Sequence, residues 1–382
     1  MLGDILEAQV LPWLTVKEHF SLAGVNRACR EALADVEGLK WLRSHGKVWS
    51  GFSTPASMRS VELEACARAA YEGRLEVLKW LRARGCEWNW STSAGAARGG
   101  HLAVLQWARA RGCEWDARTC AGAAAGGYLD VLKWARENGC DQWNSSTCAG
   151  AARGGHLAVL QWARENGCRW NSSTCSGAAR GGYLHVLRWA RENGCPWNES
   201  TCAYAAWCGH LEVLKWARAR GCEWDARTCA GAARGGYLDV LRWARENGCE
   251  WDILTCARAA EGGHLEVLQW ARARGCEWDS LTCAWAAKGG HLETLRWARE
   301  NGCVWNRDTC ACAAMNGHLE VLRWARENGC EWDSLTCTWA ARNGQLETLQ
   351  WARENGCPEG CPYIGYIKPR RRQLSSLRVG TV

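Results

Sequence analysis

The sequence predicts an all-α protein in which repeated helix pairs stack into a solenoid. Tandem repetition is the main observation behind this prediction, and its marker is the tryptophan of a Leu-x-Trp pattern that recurs in phase in eleven tandem units. Successive markers are 27 residues apart except for one interval of 28: Trp80, Trp107, Trp134, Trp162, Trp189, Trp216, Trp243, Trp270, Trp297, Trp324 and Trp351. A fixed period of this length indicates units that stack on each other, because none of them can bury a core of its own.

Two helices are predicted in each unit, as the copy that begins at Thr255 illustrates. Thr255 is placed as the N-cap of a short first helix of small residues, 256–260, which Gly262–Gly263 ends. A longer second helix then carries apolar residues at three- and four-residue spacings and ends at Gly275. Helices this short are marginally stable alone in water, so we expect each helix to bury its apolar face against a neighbouring unit.

The repeat contains the motif AAxxGHLEVLxxxxxxGCxWN, which resembles the ankyrin repeat with its AAxxGHLEVV and GADVN signatures. The usual ankyrin period is about 33 residues, and the missing residues precede the next first helix, where ankyrin repeats have a β-hairpin finger. The resemblance implies an ankyrin-like helical solenoid of about eleven bihelical repeats with reduced or absent fingers. It also implies a non-enzymatic protein–protein interaction scaffold.

Cysteine is unusually frequent, with 25 residues, and most of them occupy two fixed positions in the repeat. These two columns would suit disulfides or metal sites, but small buried apolar residues are the favoured interpretation, because no Cys-x-x-Cys pair occurs. The prediction is therefore a reducing, intracellular compartment, either cytoplasm or nucleus. Neither a signal peptide nor a membrane-spanning run is evident in the sequence. The net charge of +7 permits acidic partners or nucleic acid without requiring them.

Residues 2–35 differ from the repeats and contain the run LPWLxxKExFxLxxVNRxCR, which resembles the back half of an F-box. An F-box binds the adaptor of cullin-type ubiquitin ligases. The resemblance implies adaptor-binding roles for Leu11, Pro12, Leu14, Phe20, Leu22 and Val25. The opening LPxE of the motif is missing. The alternative interpretation, compatible with the first, is a helical cap that covers the apolar face of the first repeat.

Four segments are expected along the chain. They are an F-box-like segment or N-terminal cap at 1–37, a half repeat and loop at 38–64, the repeat array at 65–357, and a basic tail at 358–382. The loop or hinge is predicted around residues 50–60 from its Gly, Ser and Pro content. The tail is interpreted either as a solvated segment or as a nuclear-import signal.

The most variable helical position directly follows the Ala-Ala pair of each first helix, and by resemblance it lines the concave groove of the stack. Six of its eleven residues are basic. We therefore predict a positive groove that binds an acidic segment of a protein, with Trp207 as an aromatic anchor. The alternative is an unselected solvent-facing position. The predicted groove residues are Tyr71, Arg98, Arg153, Arg180, Trp207, Arg234, Lys288, Met315 and Arg342.

Three further columns are interpreted as structural. The second-helix tryptophans are expected to be buried, with glycines such as Gly122 making room for them, although stacking on nucleic-acid bases is the functional alternative. The arginine two residues after each tryptophan is expected to place its head in water or against a loop carboxylate such as Asp279; an anion-binding ladder is the alternative. Histidines of the Gly-His-Leu motif are predicted to pack at helix starts rather than to bind metal.

The sequence has no catalytic constellation, phosphate loop or zinc motif outside the repeat, so neither enzymatic activity nor a cofactor is predicted. The leading hypothesis is a monomeric interaction scaffold, which would be a ubiquitin-ligase substrate receptor if the F-box resemblance holds. The alternative hypotheses are a nucleic-acid-binding basic array and a structural spacer.

Overall fold

The computed structural model of the chain describes residues 55–83 and 85–358, and these ranges contain twenty-two helices in pairs and no strand. The first helices of the pairs are α1 (Pro55–Tyr71), α3 (Trp90–Gly99), α5 (Ala117–Gly126), α7 (Ser145–Gly154), α9 (Ser172–Gly181), α11 (Glu199–Trp207), α13 (Ala226–Gly235), α15 (Ile253–Gly262), α17 (Ser280–Gly289), α19 (Arg307–Met315) and α21 (Ser334–Arg342). The second helices are α2 (Leu75–Ala83), α4 (Leu102–Ala110), α6 (Leu129–Glu137), α8 (Leu157–Glu165), α10 (Leu184–Glu192), α12 (Leu211–Ala219), α14 (Leu238–Glu246), α16 (Leu265–Ala273), α18 (Leu292–Glu300), α20 (Leu319–Glu327) and α22 (Leu346–Glu354).

Two compact units divide the chain, Met1–Thr201 and Cys202–Val382. Within the described part of each unit, successive helix pairs stack, and short loops without strands connect them. This architecture confirms the predicted all-α fold of paired helices with reduced or absent hairpin fingers. The adaptor-binding residues predicted between Leu11 and Val25 lie outside the described residues, as does the basic tail from residue 359 onward.

Helix α1 begins at Pro55, so the loop predicted around residues 50–60 is wrong from Pro55 onward. Proline fits the first position of a helix because it has no N–H group to leave unsatisfied, and its fixed φ suits helical geometry. The glycine and serine content of this segment indicated a loop, but the helix runs through to Tyr71.

The N-cap of the first helices is the Asp or Asn that ends the preceding loop, and the prediction of Thr255 as N-cap is wrong. In α15, the Asp252 side chain accepts a hydrogen bond from the backbone N–H of Leu254 at 3.0 Å. Thr255 is the third residue of the helix and is fully buried. A carboxylate or amide oxygen at the loop end reaches the free N–H groups of the first turn, so the helix begins earlier than predicted.

Glycines end the helices, as predicted. Gly263 follows α15 with φ of +73°, and Gly275 lies just beyond α16 with φ of +82°. After Gly275 the chain turns back, and the N–H of Cys276 donates to the carbonyl of Ala271 at 3.1 Å. The left-handed conformation that this closure requires is readily adopted only by glycine.

The core consists of small and branched side chains that repeat from pair to pair. In α15 and α16, Ala259, Ala260, Leu268 and Ala271 have no exposed surface. The cysteines of both columns are buried as well, for example Cys256 at 0% exposure. Burial of these thiols confirms the interpretation of the cysteines as small core residues.

Glycines inside the first helices allow neighbouring first helices to approach closely. A methyl group on Gly95 would lie 2.6 Å from the carbonyl oxygen of Ala67, and one on Gly122 would lie 3.0 Å from that of Ala94. The prediction that these glycines make room for the second-helix tryptophans is therefore wrong. They face the adjacent first helix, so a side chain there would push two backbones apart.

The second-helix tryptophans are half-buried rather than buried, and most of them pack edge-on against a loop tryptophan of the preceding pair. Trp270 and Trp251 are typical, with ring centroids 5.9 Å apart and planes at 77°. The Arg245 guanidinium lies 4.1 Å from the Trp251 ring centroid, and its Nη1 donates to the carbonyl oxygen of Cys249 at 2.5 Å. The arginine head thus binds a loop carbonyl and an indole face. The predicted carboxylate partner, Asp279, instead caps α17.

Candidate interaction surface on the first helices

The predicted groove residues occupy one position near the end of each first helix. In α13, for example, Arg234 directly follows the fully buried Ala232 and Ala233, so its side chain starts at the edge of the core. The exposed members of the column are Tyr71, Arg98, Arg153 and Arg342, and the half-buried members are Arg180, Trp207, Arg234, Lys288 and Met315. Every predicted residue is therefore at least partly accessible to a partner.

In the unit Met1–Thr201, the surface next to this column is lined by glycine. Gly122 lies beside Arg98, because a methyl group built on the glycine would be 3.3 Å from the arginine Cβ. Gly150 and Gly177 occupy the same helical position in the following pairs. The basic side chains of this unit therefore lie next to closely packed helix backbones. At the glycine positions no large side chain stands beside them.

In the unit Cys202–Val382, large side chains replace most of these glycines, and a cluster forms around one carboxylate. Glu261 contacts three cations: Arg258 Nη1 at 2.7 Å, Lys288 Nζ at 2.9 Å and Arg234 Nε at 3.6 Å. The Glu261 side chain is 10% exposed, whereas those of the three cations are 33–41% exposed. The carboxylate therefore lies beneath cationic groups that remain accessible.

Two indole rings extend this group of charges. The Arg258 guanidinium lies 4.4 Å from the Trp285 ring centroid, and Arg234 lies 5.2 Å from that of Trp207. Tyr204 packs against Trp207 with centroids 5.9 Å apart. We name the set formed by Trp207, Arg234, Arg258, Glu261, Trp285 and Lys288 the aromatic–basic cluster.

The electrostatics of the cluster keep Glu261 ionised. Burial raises the pKa of its carboxyl group, but hydrogen bonds from Lys288 and Arg258, with the charge of Arg234, outweigh burial and lower the pKa below 4.5. Three cations and one carboxylate leave the aromatic–basic cluster with a net charge of +2. Such a surface can bind carboxylate groups and can bury an apolar side chain against the indole rings.

Sequence reasoning identified part of this cluster. The structure brings the predicted residues Trp207, Arg234 and Lys288 into one network. It adds Arg258 and Trp285, which the prediction missed because they lie three positions before the variable one. The signal that could have identified both is the replacement of the helical glycine by a large residue.

The remaining predicted residues lie apart from this network. Arg342 lies over Trp339 at 5.7 Å, and Trp339 is itself 36% exposed. Met315 is half-buried at the end of α19. These residues give the last pairs a mixed apolar and basic first-helix surface.

The histidines have the structural role that the sequence predicted. Nε2 of His291 lies 3.1 Å from the carbonyl oxygen of Glu261, and that of His318 lies 3.1 Å from the carbonyl oxygen of Lys288. Their rings also lie against the glycines of the preceding pair, where a methyl group on Gly263 would meet the His291 ring at 2.4 Å. Each histidine thereby fixes the end of one first helix against the next pair.

Within residues 55–83 and 85–358, no group of three or more His, Cys, Asp or Glu side chains could hold a metal ion. In the same ranges, no helix has the length and apolar character needed to cross a bilayer. The chemistry available on the first helices is therefore that of charged and aromatic side chains.

Comparison with known proteins gives one family match. A family model of ankyrin repeats in many copies matches residues 310–353, and no curated protein matches the chain. Among solved structures, the chain is similar to the crystal structure of the human ASB11 ankyrin repeat domain, at 17% identity and a TM-score of 0.33. That alignment covers 41% of this chain and 84% of the other; a likeness of this size carries no argument. The family match supports ankyrin repeats, which are typically non-catalytic, and indicates a protein–protein interaction scaffold.

Proposed function

We propose that the first-helix surface binds an acidic segment of a protein partner, with the aromatic–basic cluster as its centre. The observation that carries the proposal is the +2 charge of three part-exposed cations held around Glu261 next to two indole rings. Aromatic and arginine side chains are enriched among the residues that contribute most to binding energy. An acidic segment with an apolar residue matches both features of this surface.

Glu261 supports binding by holding the cations in place. Arginine and lysine side chains lose rotamer freedom when a ligand immobilises them, and this loss weakens binding. In the aromatic–basic cluster, Arg258 and Lys288 are already oriented by hydrogen bonds of 2.7 and 2.9 Å to the carboxylate. Part of the ordering cost is therefore met in the free protein.

The other residues of the variable column are proposed as additional contacts within their own units. Tyr71, Arg98, Arg153 and Arg180 belong to the first unit, and Met315 and Arg342 belong to the second. The four arginines among them would attract acidic residues that flank the main contact, which affects association rate and specificity more than affinity.

A second part of the proposal concerns the N-terminal segment. We propose that Leu11, Pro12, Leu14, Phe20, Leu22 and Val25 bind the adaptor of a cullin-type ubiquitin ligase, so that the chain acts as a substrate receptor in the cytoplasm or nucleus. The support is the sequence resemblance to an F-box. Affinity purification from cells, with and without residues 1–60, tests this role: the adaptor should co-purify with the full chain only.

Binding of the acidic segment is tested with a fluorescent peptide rich in Glu and containing one Trp. The variant Arg258→Glu/Lys288→Glu should bind at least about tenfold more weakly, because two attractive contacts become repulsive. The control variant Lys133→Glu/Arg169→Glu changes the net charge equally at exposed positions outside the first-helix surface. Equal losses in the two variants would show that only overall charge matters and would reject the site.

Nucleic-acid binding is distinguished by its salt dependence. If the basic array binds DNA, log affinity for a duplex should fall steeply and linearly with log salt concentration, and it should be the same for unrelated sequences. Tighter binding of such a duplex than of the acidic peptide at 150 mM salt would reject the protein-binding proposal in favour of this alternative.

A further inference from the structure

The two cysteine columns meet in pairs inside the repeats. A cysteine of the first helix hydrogen-bonds the cysteine that follows the glycine after the second helix, twenty residues later. Such contacts join Cys120 with Cys140, Cys148 with Cys168, Cys175 with Cys195, Cys229 with Cys249, Cys256 with Cys276, Cys283 with Cys303, and Cys310 with Cys330. Each of these repeats therefore contains two neighbouring thiols in its core.

The pair Cys120 and Cys140 lies in a repeat whose loop differs in sequence from the others. It lies in the one interval of 28 residues, where Asp141 and Gln142 stand between the cysteine and the loop tryptophan. Its two sulfur atoms are 3.0 Å apart. Cys140 is 2% exposed, less than Cys86 at 4% and Cys357 at 5%, whereas both members of the next pair, Cys148 and Cys168, have no exposed surface.

A surface cleft lies beside this pair. Its lining includes Arg109, Trp115, Asp116, Cys140, Asp141 and Gln142. The longer loop that contains Asp141 and Gln142 forms one side of the cleft, so the extra residue distinguishes this site from the other pairs.

The extra residue also changes the arginine next to the thiols. Nη1 of Arg136 is shared between the carbonyl oxygen of Cys140 at 3.1 Å and the Asp141 carboxylate at 3.0 Å. In the neighbouring repeat, Arg164 Nη1 donates to the carbonyl oxygen of Cys168 at 2.5 Å. Asp141, which lines the cleft, is 80% exposed.

The thiolate of Cys140 has partners that stabilise it. The hydrogen bond from Cys120 lowers the pKa of the Cys140 thiol, burial opposes this change, and the charge of Arg136 lowers the pKa further. The same hydrogen bond raises the pKa of Cys120. Because Cys168 is stabilised by Cys148 in the same way, what sets the Cys120–Cys140 pair apart is the surface cleft beside Cys140 and the longer loop that forms one side of it.

We propose that Cys120 and Cys140 form an oxidisable dithiol that hydrogen peroxide converts to a disulfide through the cleft. The Cys140 thiolate attacks one peroxide oxygen, the O–O bond breaks, and the products are the sulfenic acid of Cys140 and hydroxide, which takes up a proton to give water. Cys120 then attacks the Cys140 sulfur, an S–S bond forms, and the sulfenic oxygen leaves as water with the Cys120 proton. Overall, two thiols lose two electrons, and one peroxide becomes two waters.

The test uses the full chain, reduced and freed of reductant, then treated with hydrogen peroxide and quenched with an alkylating agent. Trypsin digestion without reduction yields a disulfide between peptides 119–133 and 137–153 for the proposed pair, and between 137–153 and 165–169 for the control pair Cys148–Cys168. Mass spectrometry should detect the first product at least about tenfold faster than the second. Equal rates, or no disulfide between the first two peptides, would overturn the proposal.

Two variants test the proposal further. Circular dichroism checks that each variant folds like the parent chain. In Cys120→Ser, the sulfenic acid of Cys140 has no partner, so a dimedone probe should label Cys140 strongly after peroxide and leave Cys168 unlabelled. Deletion of Gln142 restores the spacing of the other repeats and should slow oxidation to the rate of the control pair. Absence of dimedone on Cys140, or an unchanged rate in the folded deletion variant, would contradict the assigned role of the cleft.

Discussion

The guanidinium group of Arg245 lies 4.1 Å from the ring centroid of Trp251, and that indole in turn meets the edge of Trp270 in the next helix pair. The same Arg–Trp–Trp arrangement recurs in both units, for example at Arg109, Trp115 and Trp134. An arginine, a loop and a neighbouring second helix are thereby joined in these repeats. These contacts between adjacent pairs supply part of the stability that short helices lack by themselves.

Removal of the central ring should destabilise the stack. We expect Trp251→Ala to lower the free energy of unfolding by about 3 kcal/mol, because the indole contacts both Arg245 and Trp270. Combining it with Arg245→Ala should reveal a coupling energy of about 1 kcal/mol. Chemical denaturation followed by circular dichroism measures both quantities. The exposed Glu246→Ala serves as a control, and a loss as large as that of Trp251→Ala would contradict the role of the ring.

Glu261 should contribute stability only while it is ionised. Its folded pKa is lowered from 4.5, so its contribution is fully present above that value and is lost as pH falls through the folded pKa. At pH 7, Glu261→Gln should cost about 1–2 kcal/mol, because three cations lose their shared partner. Denaturant melts at pH 7 and pH 3 measure this cost, which should shrink at pH 3. A constant difference between the two pH values would indicate a packing effect instead.

His291 should produce pH dependence in a separate window. Burial lowers its pKa below 6.5, partly offset by the hydrogen bond to the Glu261 carbonyl oxygen. The unfolded chain therefore binds more protons at mildly acidic pH, and stability should fall as pH drops from 7 to 5. Glutamine occupies the equivalent position at Gln345, so His291→Gln should fold. Its Tm, measured by thermal melting, should depend less on pH in this window than that of the parent chain; identical profiles would argue against this histidine.

The corrected N-cap assignment gives a direct comparison of two substitutions. Asp252→Ala removes the 3.0 Å hydrogen bond to the Leu254 N–H and should cost about 1 kcal/mol. Thr255→Val should be neutral or slightly stabilising, because the buried Thr255 hydroxyl has no hydrogen-bond partner. Denaturant midpoints of the two variants provide the measurement. A larger loss for Thr255→Val than for Asp252→Ala would restore the threonine as the cap.

Local rules predicted much of the repeat correctly. Gly263 and Gly275 end their helices because the left-handed conformation is open to glycine, and the apolar spacing of Leu268 and Ala271 identified the buried face. The N-cap was missed because Thr and Asp are both good capping residues, and sequence alone did not show which of them lies at the helix start. The loop tryptophans share the period of the marker tryptophans, yet nothing local to them indicated their ring partners.

By itself, the sequence determined the repeat, the helix pairs and the residues that face the core, because these follow from interactions within a few positions of the chain. Only the tertiary structure decided that Arg258 and Trp285 join Glu261, that Cys140 meets Cys120 at a cleft, and that the tryptophans pack edge to face. Apart from Arg258 and Glu261, which are three positions apart in one helix, these contacts join residues 19–27 positions apart. The physical reason is that the distance between neighbouring helix pairs is set by their packing, including the close approach that glycine permits, and no short-range pattern specifies that packing.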